Sequence, residues 1–208
     1  KDAAQEIRDV LHKNGAKHIM AYFDENSPDS ERWSLGHAVT QGHYAYLLEK
    51  VLSEPWFGLV LKPKTPSSLP KRLGPVADLL ERAEATGRCY MFKEGGIQGW
   101  HPPSAAAQAA DVAVNGHIWA CTAALESALS GVPTLLVDLE NWKVEPLYSL
   151  GVGRVVFESW DDLWQACVEH WSNPDAIPGF GDWSPSINDL DPFRDGRAAE
   201  RMGTYVQW

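Results

Sequence analysis

Much of what would announce a function is scarce or missing in this chain. Cysteine occurs only at Cys89, Cys121 and Cys167 in 208 residues. An odd number at wide spacings excludes a disulfide framework and any zinc-type ligand pattern, and points to buried thiols in a reducing compartment. Long apolar runs are absent: none approaches a membrane span, and no signal-peptide pattern opens the sequence. Basic charge is short as well, with 18 Lys and Arg against 28 Asp and Glu and a net charge of −10. That balance argues against nucleic acid as a partner, and against docking on anionic lipid. A nucleotide ligand stays open, because it needs only a local pocket of donors. The dinucleotide fingerprint is missing too. Gly95-Gly96-Ile97-Gln98-Gly99 has the wrong spacing and does not join a strand to a helix, so NAD is not expected.

What is present is a regular alternation of elements, in a chain with ten Trp. The spacing of apolar residues predicts helices over Asp2–His12, Leu35–Leu52, Ser67–Ala85, Ser104–Ala109, Cys121–Leu129 and Val144–Leu150. Further helices are expected from Ser159-Trp160 to about Trp171, and from Asp191-Pro192-Phe193 to the end of the chain. Short apolar runs predict strands at Lys17–Phe23, Phe57–Leu61, Arg88–Phe92, Asp111–Val114, Thr134–Val137 and Arg154–Phe157. Between Ser172 and Pro192 no period is visible. Such an alternation predicts an α/β fold: a doubly wound parallel six-stranded sheet, Rossmann-like, in the order 3-2-1-4-5-6 with a C-terminal helix. Residues 1–208 are read as one domain. The first residue is Lys1 and helical pattern begins at once, so the chain is read as a piece of something longer.

The stretch from Ala110 to Asp138 reads as strand, polar loop, helix, tight turn and strand. In such a sheet the loop between strand and helix lies at the carboxyl edge, where ligands bind. Amides at the start of the helix, around Cys121, Thr122 and Ala123, favour a phosphate, and Thr122 is the expected N-cap. Glu126 stands one turn further in. Lys62 and Lys64 end the second strand at the same edge, where a point charge would face an anion. His101 and His117 lie in the two longest loops there and are the candidates for acid/base chemistry. Asn115 and Gly116 suit a backbone turn beside a ligand. Trp119 is read as core more than as a stacking surface, and Asp138, Glu140 and Glu145 as solvated loop acids, with binding of sugar hydroxyls as the alternative. No metal site follows from these residues.

Leu125-Glu126-Ser127-Ala128-Leu129-Ser130-Gly131-Val132-Pro133-Thr134 resembles the Glu-Ala-x-x-x-Gly-x-Pro signature of GT-B fold glycosyltransferases, in their C-terminal, nucleotide-sugar-binding domain. The run Asp191-Pro192-Phe193-Arg194-Asp195-Gly196-Arg197 is similar to the tail of bacterial surface-polysaccharide biosynthesis proteins. The resemblance implies that Glu126 binds the ribose hydroxyls of the donor and that the helix start before it, around Cys121, Thr122 and Ala123, holds its diphosphate. It implies no cofactor and no metal, with a nucleotide-diphosphate sugar as substrate. It also implies an acceptor domain that would precede this chain, and a cytoplasmic enzyme, held at the inner membrane face through that other part if at all. Two departures stand out. The second Glu often found upstream, which contacts the sugar, is replaced here by Asn115-Gly116-His117-Ile118-Trp119. The basic residue common after the first strand is replaced by Asp24-Glu25-Asn26-Ser27. Retaining or inverting outcome therefore stays open. A sugar-nucleotide 2-epimerase and a non-catalytic nucleotide- or phosphate-binding module are the alternative readings.

Overall fold

The computed structural model describes residues 2–29, 36–93, 101–119, 121–190 and 192–206. Six parallel strands form one sheet: β1 (His18–Phe23), β2 (Phe57–Lys62), β3 (Cys89–Met91), β4 (Val112–Asn115), β5 (Thr134–Val137) and β6 (Val156–Phe157). Their order is β3-β2-β1-β4-β5-β6, as the alternation of elements predicts. Neighbouring strands run parallel throughout, with Met20 beside Leu59 on one side and beside Val112 on the other. The helices are α1 (Asp2–Lys13), α2 (His37–Ser53), α3 (Leu69–Leu73), α4 (Ala77–Ala85), α5 (Pro103–Gln108), α6 (Thr122–Leu129), α7 (Trp160–Ser172), α8 (Ser184–Leu190) and α9 (Ala198–Val206).

Alternate strand residues point to opposite faces, and here both faces are covered, which is why the strands read as unbroken apolar runs. Met20, Tyr22, Leu59, Leu61, Val112 and Val114 pack on one face against Tyr44, Leu47, Leu48 and Val51 of α2 and Leu163 and Cys167 of α7. Ile19, Ala21, Val60 and Ala113 face the other way, onto Ile7 and Leu11 of α1 and the alanines of α5. Leu136 and Val156 extend that second face under Ala124 of α6 and Ile187 of α8. Asp111 fastens α1 to the sheet, pairing with Arg8 and accepting the Ile19 N–H at 2.8 Å.

Four expectations from the sequence need correction. The helix expected over Ser67–Ala85 is broken. Gly74, at φ +51°, and Pro75, which has no N–H to donate, separate α3 from α4. The turn expected to be α-helical after residue 144 is a 3₁₀ segment, Pro146–Leu150. The aperiodic stretch after Ser172 contains α8, anchored by Trp183, whose indole N–H donates to the Thr134 carbonyl at 2.9 Å. The last helix starts at Ala198 rather than Pro192, because Arg194 and Gly196 take positive φ values that no α-helix allows. The start at Asp191, the end at Trp208 and the run Gly95-Gly96-Ile97-Gln98-Gly99 lie outside the described residues. Among the described residues no helix is long and apolar enough to cross a membrane.

Candidate functional site

β1 and β4 lie side by side at the centre of the sheet, and their chains leave in opposite directions, to β2 and to β5. The gap this reversal opens at the carboxyl edge is the place where such sheets bind ligands. A cavity of about 660 Å³ occupies it. Phe23 to Asn26 from the end of β1, Lys62 to Thr65 from β2 and Asn115 from β4 form part of its wall. His101, Pro102 and Pro103 lead into α5, and Thr122, Ala123 and Glu126 from α6 close the rest. Of the residues singled out from sequence, Lys62, Lys64, His101, Asn115, Thr122, Ala123 and Glu126 therefore meet at one cavity. Cys121, Gly116 and His117 do not line it.

α6 begins beside the cavity, but its cap differs from the expected one. Cys121 occupies the N-cap position and Thr122 is the first helical residue, exposed. The Cys121 thiol donates to the Ile118 carbonyl at 2.7 Å, which leaves the helix's first amides unserved by a side-chain cap. Glu126, one turn in, accepts the Ser104 N–H on Oε1 at 3.0 Å, so the carboxylate holds the starts of α5 and α6 together. Lys62 is half-buried, with its ammonium 5.7 Å from the centre of the Phe92 ring. Burial lowers its pKa from the ordinary value, against the opposing pull of Asp24 and Glu126. His101 packs against the other side of this corner, its ring centre 5.4 Å from that of Phe92.

The opposite wall is built on Asp24, which is buried. It accepts the Lys64 N–H at 2.6 Å, Arg72 Nη2 at 3.0 Å and the Tyr44 hydroxyl at 3.1 Å. Burial pushes the Asp24 carboxyl up from its ordinary range, and Arg72, the Lys64 N–H and Tyr44 pull it back down. Lys64 is exposed, and its ammonium pairs with Glu25. Asp24, Glu25, Asn26 and Thr65 were not singled out as binding residues from sequence. The loss of the basic residue after the first strand was the signal that could have found them. Arg72, in the last turn of α3, supplies the counter-charge to Asp24 from another part of the chain.

His117 sits behind the cavity, buried. The Asn115 side-chain amide donates to the His117 carbonyl at 2.8 Å and approaches Nδ1 at 3.1 Å, which places the ring proton on Nε2. That nitrogen is buried without a partner, and so is Nδ1 of His43 on α2. Burial lowers both imidazoles to about 4, so both stay neutral near pH 7. Gly116 has a steric role. A Cβ there would lie 2.4 Å from the Tyr22 hydroxyl, so glycine lets that ring pack against the loop. Trp119 is 41% exposed, which overturns the reading of it as core. Among the described residues no cluster of three or more His, Cys, Asp or Glu could hold a metal ion.

No protein-family model matches the sequence, and no curated protein matches it significantly. Solved structures do. The C-terminal domain of a glycosyl transferase group 1 family protein (LpcC) from Francisella tularensis superposes with a TM-score of 0.55 at 14% identity, over 91% of this chain and 92% of that one. Anabaena Alr3699/HepE, solved in complex with UDP and glucose, superposes with a TM-score of 0.58 at 11% identity, over 97% of this chain and 52% of that one. At such identities the likeness speaks to the fold. Strand order and both superpositions agree on it: the chain has a Rossmann-like, doubly wound fold similar to that of these two structures.

Proposed function

We propose that this chain is the donor-binding half of a GT-B type glycosyltransferase of polysaccharide biosynthesis, holding a nucleotide-diphosphate sugar in the cavity between β1, β2 and α6. The observation that carries this reading is the meeting of Glu126, the uncapped start of α6 and Lys62 in one cavity at the switch point. In this arrangement the ribose hydroxyls donate to Glu126, since a carboxylate accepts two such bonds at once. The diphosphate lies against the amides of Thr122 and Ala123, where an anion is stabilised by unsatisfied N–H groups and by the helix dipole. Lys62, and Lys64 once released from Glu25, add point charges. As the bond from the anomeric carbon to the diphosphate oxygen breaks, the same donors stabilise the charge growing on the leaving group. The attacking acceptor hydroxyl and the group that takes its proton come from a second domain, across a cleft; His101 is the titratable group on this side. HepE, of which this chain spans about half, is a structural likeness that was solved in complex with UDP and glucose.

Isothermal titration with UDP, GDP and CDP and their sugar conjugates, in the presence of a chelator, tests the proposal. One of the three nucleotides is expected to bind at micromolar levels without added metal. No binding by any of them overturns the reading, and so does binding left unchanged by Glu126→Ala.

A further inference from the structure

Beyond the cavity, the same sheet edge carries a second construction, in the loops that follow β4 and β5. Trp119 and Trp142 are 41% and 42% exposed. Their indole N–H groups both donate to Glu140 Oε2, at 3.3 and 3.2 Å. One carboxylate thus fixes two rings that are each partly exposed. The loop beneath them is held from inside. Asp138, buried at the end of β5, accepts the backbone N–H of Glu140 at 3.0 Å and of Trp142 at 2.7 Å, and the Tyr148 hydroxyl as well. Asn141 takes a positive φ of 64° to close this turn. On the other side, Trp119 stacks on His117 with ring centres 5.1 Å apart and planes at 23°. Exposed tryptophans normally sample several rotamers; ordering these two lowers the entropy a flat ligand would otherwise have to remove.

The charge around them selects the ligand's chemistry. Asp138, Glu140 and Glu145 outnumber Lys143, which is itself paired with Glu158 at 3.1 Å. A phosphate or an acidic ring would be repelled here. A neutral ring carrying hydroxyl donors would find apolar faces for its C–H groups and a carboxylate for its hydroxyls.

We propose that Trp119, Trp142 and Glu140 form a saccharide platform that stacks one neutral pyranose ring and accepts its hydroxyl hydrogen bonds. This site is separate from the donor cavity and goes beyond the donor-binding reading. It would seat a sugar of the acceptor or of the growing glycan beside the donor.

Saturation-transfer NMR of the full chain with maltotriose, cellotriose and laminaritriose tests it, with UDP titrated into the same sample as a separate report on the cavity. At least one trisaccharide is expected to receive saturation mainly at the C–H protons of one ring face. Trp142→Ala should cut that transfer about fivefold, the weight of one aromatic stacking contact, while Trp142→Phe retains most of it and UDP binding does not change. Absence of transfer to all three sugars overturns the platform, as does transfer untouched by Trp142→Ala. Sedimentation showing a dimer that Trp142→Ala dissociates would overturn it as well, assigning the surface to a second copy of the chain. Saccharide transfer in a chain that binds no nucleotide would support the platform and overturn the donor reading alone.

Discussion

Asp24 and Glu126 face the same cavity from opposite walls, and they differ in how many partners they already hold. Asp24 takes bonds from the Lys64 amide, from Arg72 and from Tyr44, and the neighbouring Glu25 pairs with Lys64. Glu126 accepts a backbone N–H from Ser104, next to a helix start whose amides have no side-chain cap. A wall whose charges are matched internally gives shape and rigidity. A wall with donors and a carboxylate in reach of the cavity can exchange water for ligand. On the proposed function, the Asp24 cluster serves support while the α5–α6 side and Lys62 serve recognition, and substitutions in each group should therefore separate stability from affinity.

The largest effect is expected at Arg72. Replacing it with Met leaves the Asp24 carboxyl buried without its counter-charge, at a cost of about 3–5 kcal/mol. The apparent Tm should fall by about 10 °C for a chain of this size. Adding Asp24→Asn should recover most of that loss, since no charge is then stranded; a double variant as unstable as the single would break the assignment of this wall to support.

Next comes pH. His43 titrates near 6.5 in the unfolded chain and about 4 in the fold. Between those values the unfolded chain binds the extra proton, so stability falls as pH drops from about 6.5 towards 4 and is level below that. The contribution is on the order of 3 kcal/mol. Buried His117, also lowered to about 4, adds a similar slope over the same range. Thermal melts should show the combined slope, and His43→Phe should remove about half of it, leaving the part due to His117.

On the recognition side, Glu126→Ala should weaken nucleotide binding by about 2 kcal/mol, the worth of hydrogen bonds to a charged group. Its cost to stability should be near 1 kcal/mol, for the lost Ser104 bond. Calorimetry together with a melt reads both, and a larger loss of stability than of affinity would reverse the contrast. The smallest effect is expected for Glu25→Gln, which releases Lys64 from its partner. Lys64 is exposed, so the gain in nucleotide affinity should be only about twofold to threefold.

The strands were legible because both faces of the sheet are covered, which makes runs such as Phe57-Gly58-Leu59-Val60-Leu61 apolar without alternation. Their order followed from the alternation with helices. Glu126 and Thr122 could be placed because a helix start, Gly131 and Pro133 keep them in register within one short stretch. Arg72 could not, since its partner Asp24 is 48 positions away in sequence and no spacing rule reaches that far. The tie between Trp119 and Trp142 through Glu140 was hidden for the same reason, as it joins two loops after different strands. The short helix α8 escaped because it is held by one indole and a few apolar contacts rather than by a repeating face.

That indole has a consequence for how the sheet opens. β6 is two residues long, so β5 gains little protection from its outer neighbour. The Thr134 amide donates to the Gly181 carbonyl at 3.1 Å, its own carbonyl receives the Trp183 indole, and the Gly181 amide returns to Arg154 at 2.9 Å. The segment carrying α8 is therefore a latch across the weak end of the sheet. Amide hydrogen exchange at the start of β5 should then be gated by the release of this latch, with the sheet's outer edge and the chain around Trp183 exchanging together as one cooperative unit.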